Sequence, residues 1–220
     1  MKKIVFISDT HEQHEKVKVP PCDILLHAGD LTYRGKEEKV DQALRWLNKQ
    51  DAKHVVVIAG NHDWLFQTEP EVAKELLAAF PKIHYLENNG VTLEGLKFWG
   101  SPWTPAFCNW AFNADPADIF KHWDLIPSGL DVLVTHGPPK GILDRAAPQL
   151  VPPTPELGCY DLKIAVIQTK PKIHVFGHIH GGANLQQRLY KDGTEFINAS
   201  VVDEAYKVVR NPVEIDFYES

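Results

Sequence analysis

Little in this sequence points to cross-links, membranes or polyanions. It holds three cysteines, Cys22, Cys108 and Cys159, odd in number and far apart. No Cys-x-x-Cys pair occurs, so neither a disulfide framework nor a thiolate zinc site is expected, and free thiols in a reducing compartment are. No stretch approaches the ~20 apolar residues of a membrane span. Lys2 and Lys3 precede the apolar run Ile4-Val5-Phe6-Ile7, but Asp9 cuts it far below signal-peptide length. A soluble, cytoplasmic protein with no membrane partner is the expectation. Positive charge is also short: 23 Lys and Arg against 29 Asp and Glu leave a formal net charge of -6. Stable binding of duplex nucleic acid, which rests largely on Lys and Arg against phosphates, is therefore not expected. A small anionic ligand stays compatible, because a bound metal can supply local positive charge. Repeats, low-complexity tracts and linkers are missing as well, so residues 1–220 read as one domain with room for a sizeable core.

Histidine is what the chain has in plenty, eleven in all. With so few cysteines, that points to imidazole-based metal or acid–base chemistry. The histidines fall where buried strands end. Val55-Val56-Val57-Ile58 is an apolar, largely β-branched run of the kind buried on both faces of a parallel sheet, and Gly60-Asn61-His62-Asp63 follows it. Ile4 to Ser8 ends in Asp9-Thr10-His11, and Ile24 to Ala28 ends in Gly29-Asp30. Val132 to Thr135 ends in His136, and Ile173 to Phe176 in Gly177-His178-Ile179-His180.

Between these strands the period changes. Val40, Ala43, Leu44 and Leu47 recur at i, i+3, i+4, i+7 and predict an amphipathic helix over 36–50. A second helix, with Thr68 and Glu71 spaced as a capping box and Pro70 in its first turn, runs to about Phe80. A third opens at Asp115-Pro116 and carries Ile119, Phe120 and Trp123; a fourth covers 161–169. Short strands are expected near 83–86, 91–93 and 96–99. Residues 137–160, rich in proline, read as a long surface loop. The alternating tail over 184–220 contains the hairpin turn signal Asp192-Gly193. Strands separated by helices, each strand closing in polar residues, define an α/β fold whose ligands gather past the carboxyl ends of the strands.

Carboxylates, imidazoles and an amide oxygen, without thiolate, suit Mn, Fe or Zn rather than Ca or a structural zinc. One such pair often just faces solvent; sets at five strand ends can converge on one place. In order, Asp9-x-His11, Gly29-Asp30, Gly60-Asn61-His62-Asp63, Thr135-His136 and Gly177-His178-Ile179-His180 resemble the motif set of the calcineurin-like metallophosphoesterases, over residues 4 to about 200. Further stretches, Ser101-Pro102-Trp103-Thr104-Pro105, Asn109-Trp110-Ala111-Phe112-Asn113, Thr135-His136-Gly137-Pro138-Pro139 and Ile197-Asn198-Ala199-Ser200, are similar to its metallophosphoesterase-domain-containing branch. That branch is linked to hydrolysis of cyclic nucleotide phosphodiesters, and some of its animal members carry Gly where this chain has His178.

The resemblance implies a β-sandwich of mixed sheets flanked by helices, with a metal site at the carboxyl ends of strands and two divalent ions in it. One ion would be held by Asp9, His11, Asp30 and His180, the other by Asp30, Asn61, His136 and His178. Asp30 would bridge them at the ~3.5–4 Å separation of two-metal hydrolases, and a hydroxide between them would attack phosphorus in line. Asn61 and His62 would touch the substrate, with His62 protonating the leaving oxygen. Asp63 would support the site or cap a helix.

A phosphodiesterase of small, cyclic nucleotides is the reading the resemblance favours. A phosphomonoesterase with the same centre is the alternative; His11 leans toward diesters, since related monoesterase groups manage without it. A non-catalytic scaffold would be expected to lack ligands, and none is missing. Gly29-Asp30-Leu31-Thr32-Tyr33 also fits purple acid phosphatases, in which that Tyr binds ferric iron, but His11 takes its place here. Two readings hold for Ser101 to Asn113: a loop covering the sheet edge, or a platform where Trp103 or Phe112 stacks on a nucleobase whose edge meets Asn109 or Asn113. His27 and His14 lie close to the motifs in sequence, and His54, His84, His122 and His174 read as surface or packing.

Overall fold

The computed structural model describes residues 1–145, 155–180 and 186–218. Along the chain run β1 (Lys2–Ile7), β2 (Cys22–His27), α1 (Glu37–Lys49), β3 (Ala52–Val57), α2 (Trp64–Thr68), α3 (Pro70–Ala78), β4 (Ile83–Tyr85), β5 (Asn89–Leu93) and β6 (Leu96–Ser101). They are followed by β7 (Thr104–Pro105), β8 (Asn113–Ala114), α4 (Phe120–Trp123), β9 (Val132–Thr135), α5 (Tyr160–Thr169), β10 (Ile173–Phe176), β11 (Arg188–Lys191), β12 (Thr194–Asn198) and β13 (Val213–Phe217). One sheet has the order β13-β1-β2-β3-β4, the other β11-β12-β10-β9-β6-β5. In the first, β1 to β4 are parallel and β13 antiparallel. In the second, β12, β10, β9 and β6 are parallel, with β11 and β5 antiparallel at the edges.

Strand side chains alternate between faces, and here both faces are apolar. Ile4 and Phe6 of β1, Ile24 and Leu26 of β2 and Val56 of β3 meet Val132, Val134, Ile173 and Val175 of the second sheet in the central core. Their neighbours Val5, Ile7, Leu25, Val55 and Val57 turn outward, where α1 covers them with Val40, Ala43, Leu44 and Leu47, the residues whose spacing predicted that helix. On the far side, Leu133, Phe176 and Phe196 pack under Ile119, Trp123, Leu162 and Val166, from α4, α5 and the turn before α4. The result is two mixed sheets face to face with helices on both outer sides. Among the described residues no helix is long and apolar enough to cross a membrane.

Some local expectations change. Thr68 caps no helix: it closes α2, with its hydroxyl donating to Trp64 O at 3.0 Å, and α3 begins at Pro70 without a side-chain cap. Residues after Asp115 form turns before a single helical turn at Phe120–Trp123, too short for the helix expected there. The 137–160 segment is tied down at its ends by bridges between Pro139 and Cys159 and between Arg145 and Glu156; residues 146–154 lie outside the described set. The hairpin forms between β11 and β12, with positive φ at both Asp192 (53°) and Gly193 (90°) as a type I′ turn requires. Residues 184–185 and 219–220 of the tail also lie outside the described set.

His174, on β10, is fully buried among Phe176 and Phe196 and shares a 2.8 Å hydrogen bond through Nε2 with the Thr135 hydroxyl. Burial pulls its pKa from 6.5 down to about 3. An unfolded chain takes up a proton at this side chain below about pH 6.5 while the folded one stays neutral until about 3, so folding stability is lost as pH falls through that window. The expected outcome is that the urea midpoint of the wild type drops on acidification from pH 6.5 toward 4, and drops less steeply in His174→Gln. Parallel slopes for the two proteins would contradict a buried neutral imidazole.

Candidate metal centre

Parallel strands deliver their carboxyl ends to the same edge. β1, β2 and β3 do so in one sheet and β9 and β10 in the other, and a bridge between Ser8 and Ser200 joins the two sheets there. Immediately past the strands the backbone turns sharply. Asp9 (φ 56°), His11 (40°), Asp30 (57°) and His178 (65°) all sit in the left-handed region, which non-glycine residues seldom occupy. Each such residue costs about 1–2 kcal/mol. Cross-links between turns hold them: Asp9 N donates to Gly29 O (2.9 Å), His11 N to Asp30 O (3.1 Å), and His178 N to both carboxylate oxygens of Asp9 (3.0 and 3.1 Å). Two glycines make room. A Cβ on Gly60 would overlap the Asp30 carboxylate, and one on Gly177 would overlap Ser8 and Asp9.

Seven side chains converge as a result. Asp9, His11, Asp30 and His180 form one group with ligand atoms within 4.8 Å of one another, and Asp30, His136 and His178 form a second. Asp30 belongs to both: its Oδ2 is 3.6 Å from His11 Nε2 and 3.4 Å from His136 Nε2. Asn61 joins the second group through Oδ1, 2.9 Å from both His136 Nε2 and His178 Nδ1.

The donor set fits a cation. His11 and His136 each give their Nδ1 proton to a backbone carbonyl, Thr32 O at 3.2 Å and Ala28 O at 2.9 Å, and so present an Nε2 lone pair to the site. The His136 lone pair faces other acceptors, and the His11 lone pair faces a second imidazole nitrogen. His11 Nε2 is 3.2 Å from His180 Nε2, and His136 Nε2 faces the Asn61 and Asp30 oxygens. Acceptors turned on one another at these distances repel unless a cation or a proton stands among them. The charges follow the same logic. Burial pushes the Asp9 and Asp30 carboxyls up, but His180 beside Asp9 and His136 beside Asp30 outweigh it and hold both below the usual carboxylate range. Burial pulls His11 down to about 4 and His178 to about 3, while the Asp30 carboxylate overcomes burial at His136 and lifts it to about 9. The His136 proton stands where a metal ion would balance the two carboxylates.

His62 reaches the edge of the cluster. Its Nδ1 donates to Tyr33 O at 2.9 Å, its Nε2 lies 4.0 Å from Asp30 Oδ2, and its ring packs on Trp110 at 4.2 Å. Asp63 does not face the site. Fully buried, it accepts from Gly60 N (2.9 Å), Leu31 N (3.1 Å), Thr32 N (3.0 Å) and the Thr32 hydroxyl (2.9 Å). It stands at the N-terminus of α2 without capping it. Burial and then the Asp30 charge raise it to about 6. Its carboxyl group locks the β2 and β3 turns together and so holds the backbone that carries Asp30.

The Ser101 to Asn113 loop is turned differently from the stacking platform. Phe112 is fully buried, and the Trp103 ring is covered by His122, stacked on it at 4.2 Å. Asn113 is spent on Phe107 O (2.8 Å), while Asn109 is exposed. Aromatic loop residues carry no sequence mark of which way they face, and here Phe112 lies in the core while the half-buried Trp103 packs against it. Phe107 instead, 38% exposed, stands edge-on to His178 at 5.2 Å. Tyr206, in the alternating tail, carries no such mark either; its ring meets His11 at 4.7 Å and His180 at 5.4 Å. Tyr33 stacks on His11 at 5.5 Å and accepts Gln13 Nε2 at 3.3 Å. His27 supports the site through Thr10, with Nε2 3.0 Å from its hydroxyl, whereas His14 packs on Trp46. His54 and His84 pair with each other at 3.3 Å.

This sandwich, with a buried His/Asp cluster at its strand ends, defines a metal-dependent phosphoesterase. A family model for calcineurin-like phosphoesterases matches residues 2–182, and the chain belongs to that family. It is 35% identical over 237 residues to metallophosphoesterase domain-containing protein 1 of Homo sapiens and to that of Mus musculus, aligning 97% of this chain with 70% of each. The backbone is also similar to the crystal structure of the protein TT1561 of Thermus thermophilus, with a TM-score of 0.64 at 12% identity over 92% of this chain and 89% of that one. That likeness is one of fold.

Proposed function

We propose that this protein is a two-metal phosphodiesterase of small nucleotide esters, cyclic ones included. The observation that carries it is the single Asp30 oxygen shared between two groups of ligand atoms, a carboxylate placed to hold two cations side by side. Asp9, His11 and His180 would complete one position and Asn61, His136 and His178 the other, an N/O set suited to Mn, Fe or Zn. Bound there, the cations supply Lewis acidity: they lower the pKa of water and offset charge on the phosphoryl group. The chain's own residues do the rest. Because its Nδ1 proton is committed to Tyr33 O, His62 has Nε2 free to carry a proton toward a leaving oxygen, and Trp110 fixes the ring plane.

Beside His178 and His180 lies a cleft of about 490 Å³ walled by Phe107, Pro138, Leu157 and Ile179, which suits the flat organic group of an ester. Glu204 on the same wall disfavours a second negative charge, whereas Glu156 there is paired with Arg145 at 3.2 Å, so the singly charged diester is favoured over the doubly charged monoester through Glu204 alone.

After chelation, and with Mn, Fe, Zn or Mg added back, the protein is expected to hydrolyse 2′,3′-cyclic, 3′,5′-cyclic or linear nucleotide diesters with higher kcat/KM than monoesters. Asp30→Asn should abolish all of it; a folded Asp30→Asn protein with two metals and wild-type turnover would sink the assignment. His62→Ala should keep its metals and lose kcat by about 10²–10⁴, less for nitrophenyl esters, whose leaving group needs no proton. An equal loss across leaving groups would leave His62 only a positioning role. Phe107→Ala should raise KM for a nucleoside nitrophenyl phosphate about ten- to a hundredfold and spare methyl nitrophenyl phosphate, while Trp103→Ala should act on stability. If both esters suffer alike, the base is not held by Phe107.

A further inference from the structure

Tyr206 has a conformation that an aromatic side chain seldom adopts, with φ of 57°. The turn carrying it is clamped from within. Asp203 accepts from Ala205 N and Lys207 N through Oδ1, both at 2.9 Å, its own N donates to Lys207 O, and Tyr206 N donates to Asp203 O. A buried arginine, Arg210, ties the base of the turn by donating to Val202 O at 2.9 Å. Strained backbone persists only where its surroundings over-determine it, and such positions cluster at functional sites.

The strain aims the ring over the metal centre. Tyr206 meets His11 edge-on at 4.7 Å, His180 at 5.4 Å and Tyr33 at 5.4 Å, with His62 beyond at 6.4 Å. Packing of this kind uses only the ring, and a phenylalanine would provide it. The hydroxyl has no hydrogen-bond partner among the described residues, although it belongs to a half-buried side chain at the mouth of a polar cluster. Asp203, Glu204 and Lys207, its neighbours on the turn, are committed to the turn or exposed. Phe107 stands edge-on to His178, so of these two rings only Tyr206 carries a donor, and the Tyr33 hydroxyl, also beside His11, already takes Gln13 Nε2 at 3.3 Å.

We propose that Tyr206 contacts the substrate, donating its hydroxyl proton in a hydrogen bond to a non-bridging phosphoryl oxygen beside His11 and His62. This rests on the phosphoesterase reading above, since it needs a phosphoryl group at the cluster.

Inorganic phosphate is the probe, titrated by calorimetry into the metal-loaded wild type and Tyr206→Phe, with metal content and thermal midpoint measured on the same samples. Loss of one hydrogen bond to a charged oxygen should weaken phosphate binding by about ten- to a hundredfold in Tyr206→Phe, with metal content and midpoint unchanged. Unchanged phosphate affinity overturns the proposal. So does weaker affinity accompanied by metal loss or a lowered midpoint, which would make Tyr206 a prop for His11 and His180. The two readings fail separately: wild-type protein that turns over no ester yet binds phosphate in a Tyr206-dependent way refutes the enzyme and keeps the contact.

Discussion

The Asp30 carboxylate, buried where two sheets meet, sets the terms for everything around it. A buried anion is stable only when paired and hydrogen-bonded. Oδ1 takes the His62 amide at 2.9 Å, and Oδ2 faces His11 and His136. Gly60 has no side chain because the carboxylate occupies that space. The left-handed turn at Asp30 is held in place by Asp63, which binds the two amides that follow it. Replace any of these and the charge is left short of partners. The cost of one carboxylate in the interior is thus spread over the ends of β1, β2, β3 and β9.

How much of this could be read from the chain follows from the kind of signal each part leaves. Long apolar runs closing in Asp, His or Asn are visible because burial demands the run and the ligand ends it; β1, β2, β3, β9 and β10 came through that way. Helix α1 came through on its period. Local capping signals failed where two helices abut: Thr68 has the spacing of a cap for α3 but is already the last residue of α2. Aromatic side chains in loops failed for another reason. Whether Trp103 or Phe107 faces a ligand depends on which ring His122 happens to cover, a tertiary fact with no local pattern. Tyr206 depends in turn on Asp203 folding a turn over residues far away in sequence.

The histidines divide by what their second nitrogen does. His11 and His136 spend Nδ1 on carbonyls and turn Nε2 inward. His27 and His174 look alike in the two sheets: each is buried, each is pulled down to about 3 by burial, and each bonds the hydroxyl of the threonine just before a ligand, Thr10 before His11 and Thr135 before His136. They are neutral props that fix the strand ends laterally. Composition alone could not separate them from ligands.

The hydrogen bond from His178 to Asp9 spans 169 residues, and Asn61 meets His136 across 75. Such contacts form late, because the loop entropy of closing them must be met before they stabilise anything. Each sheet alone carries half a coordination set, and neither half is worth much to a cation. During synthesis, the ligand from the first strand therefore waits for the tenth to emerge and dock. A metal held by residues from both sheets would thus be bound fully only by the closed sandwich, and poorly by an unfinished, nicked or misdocked chain.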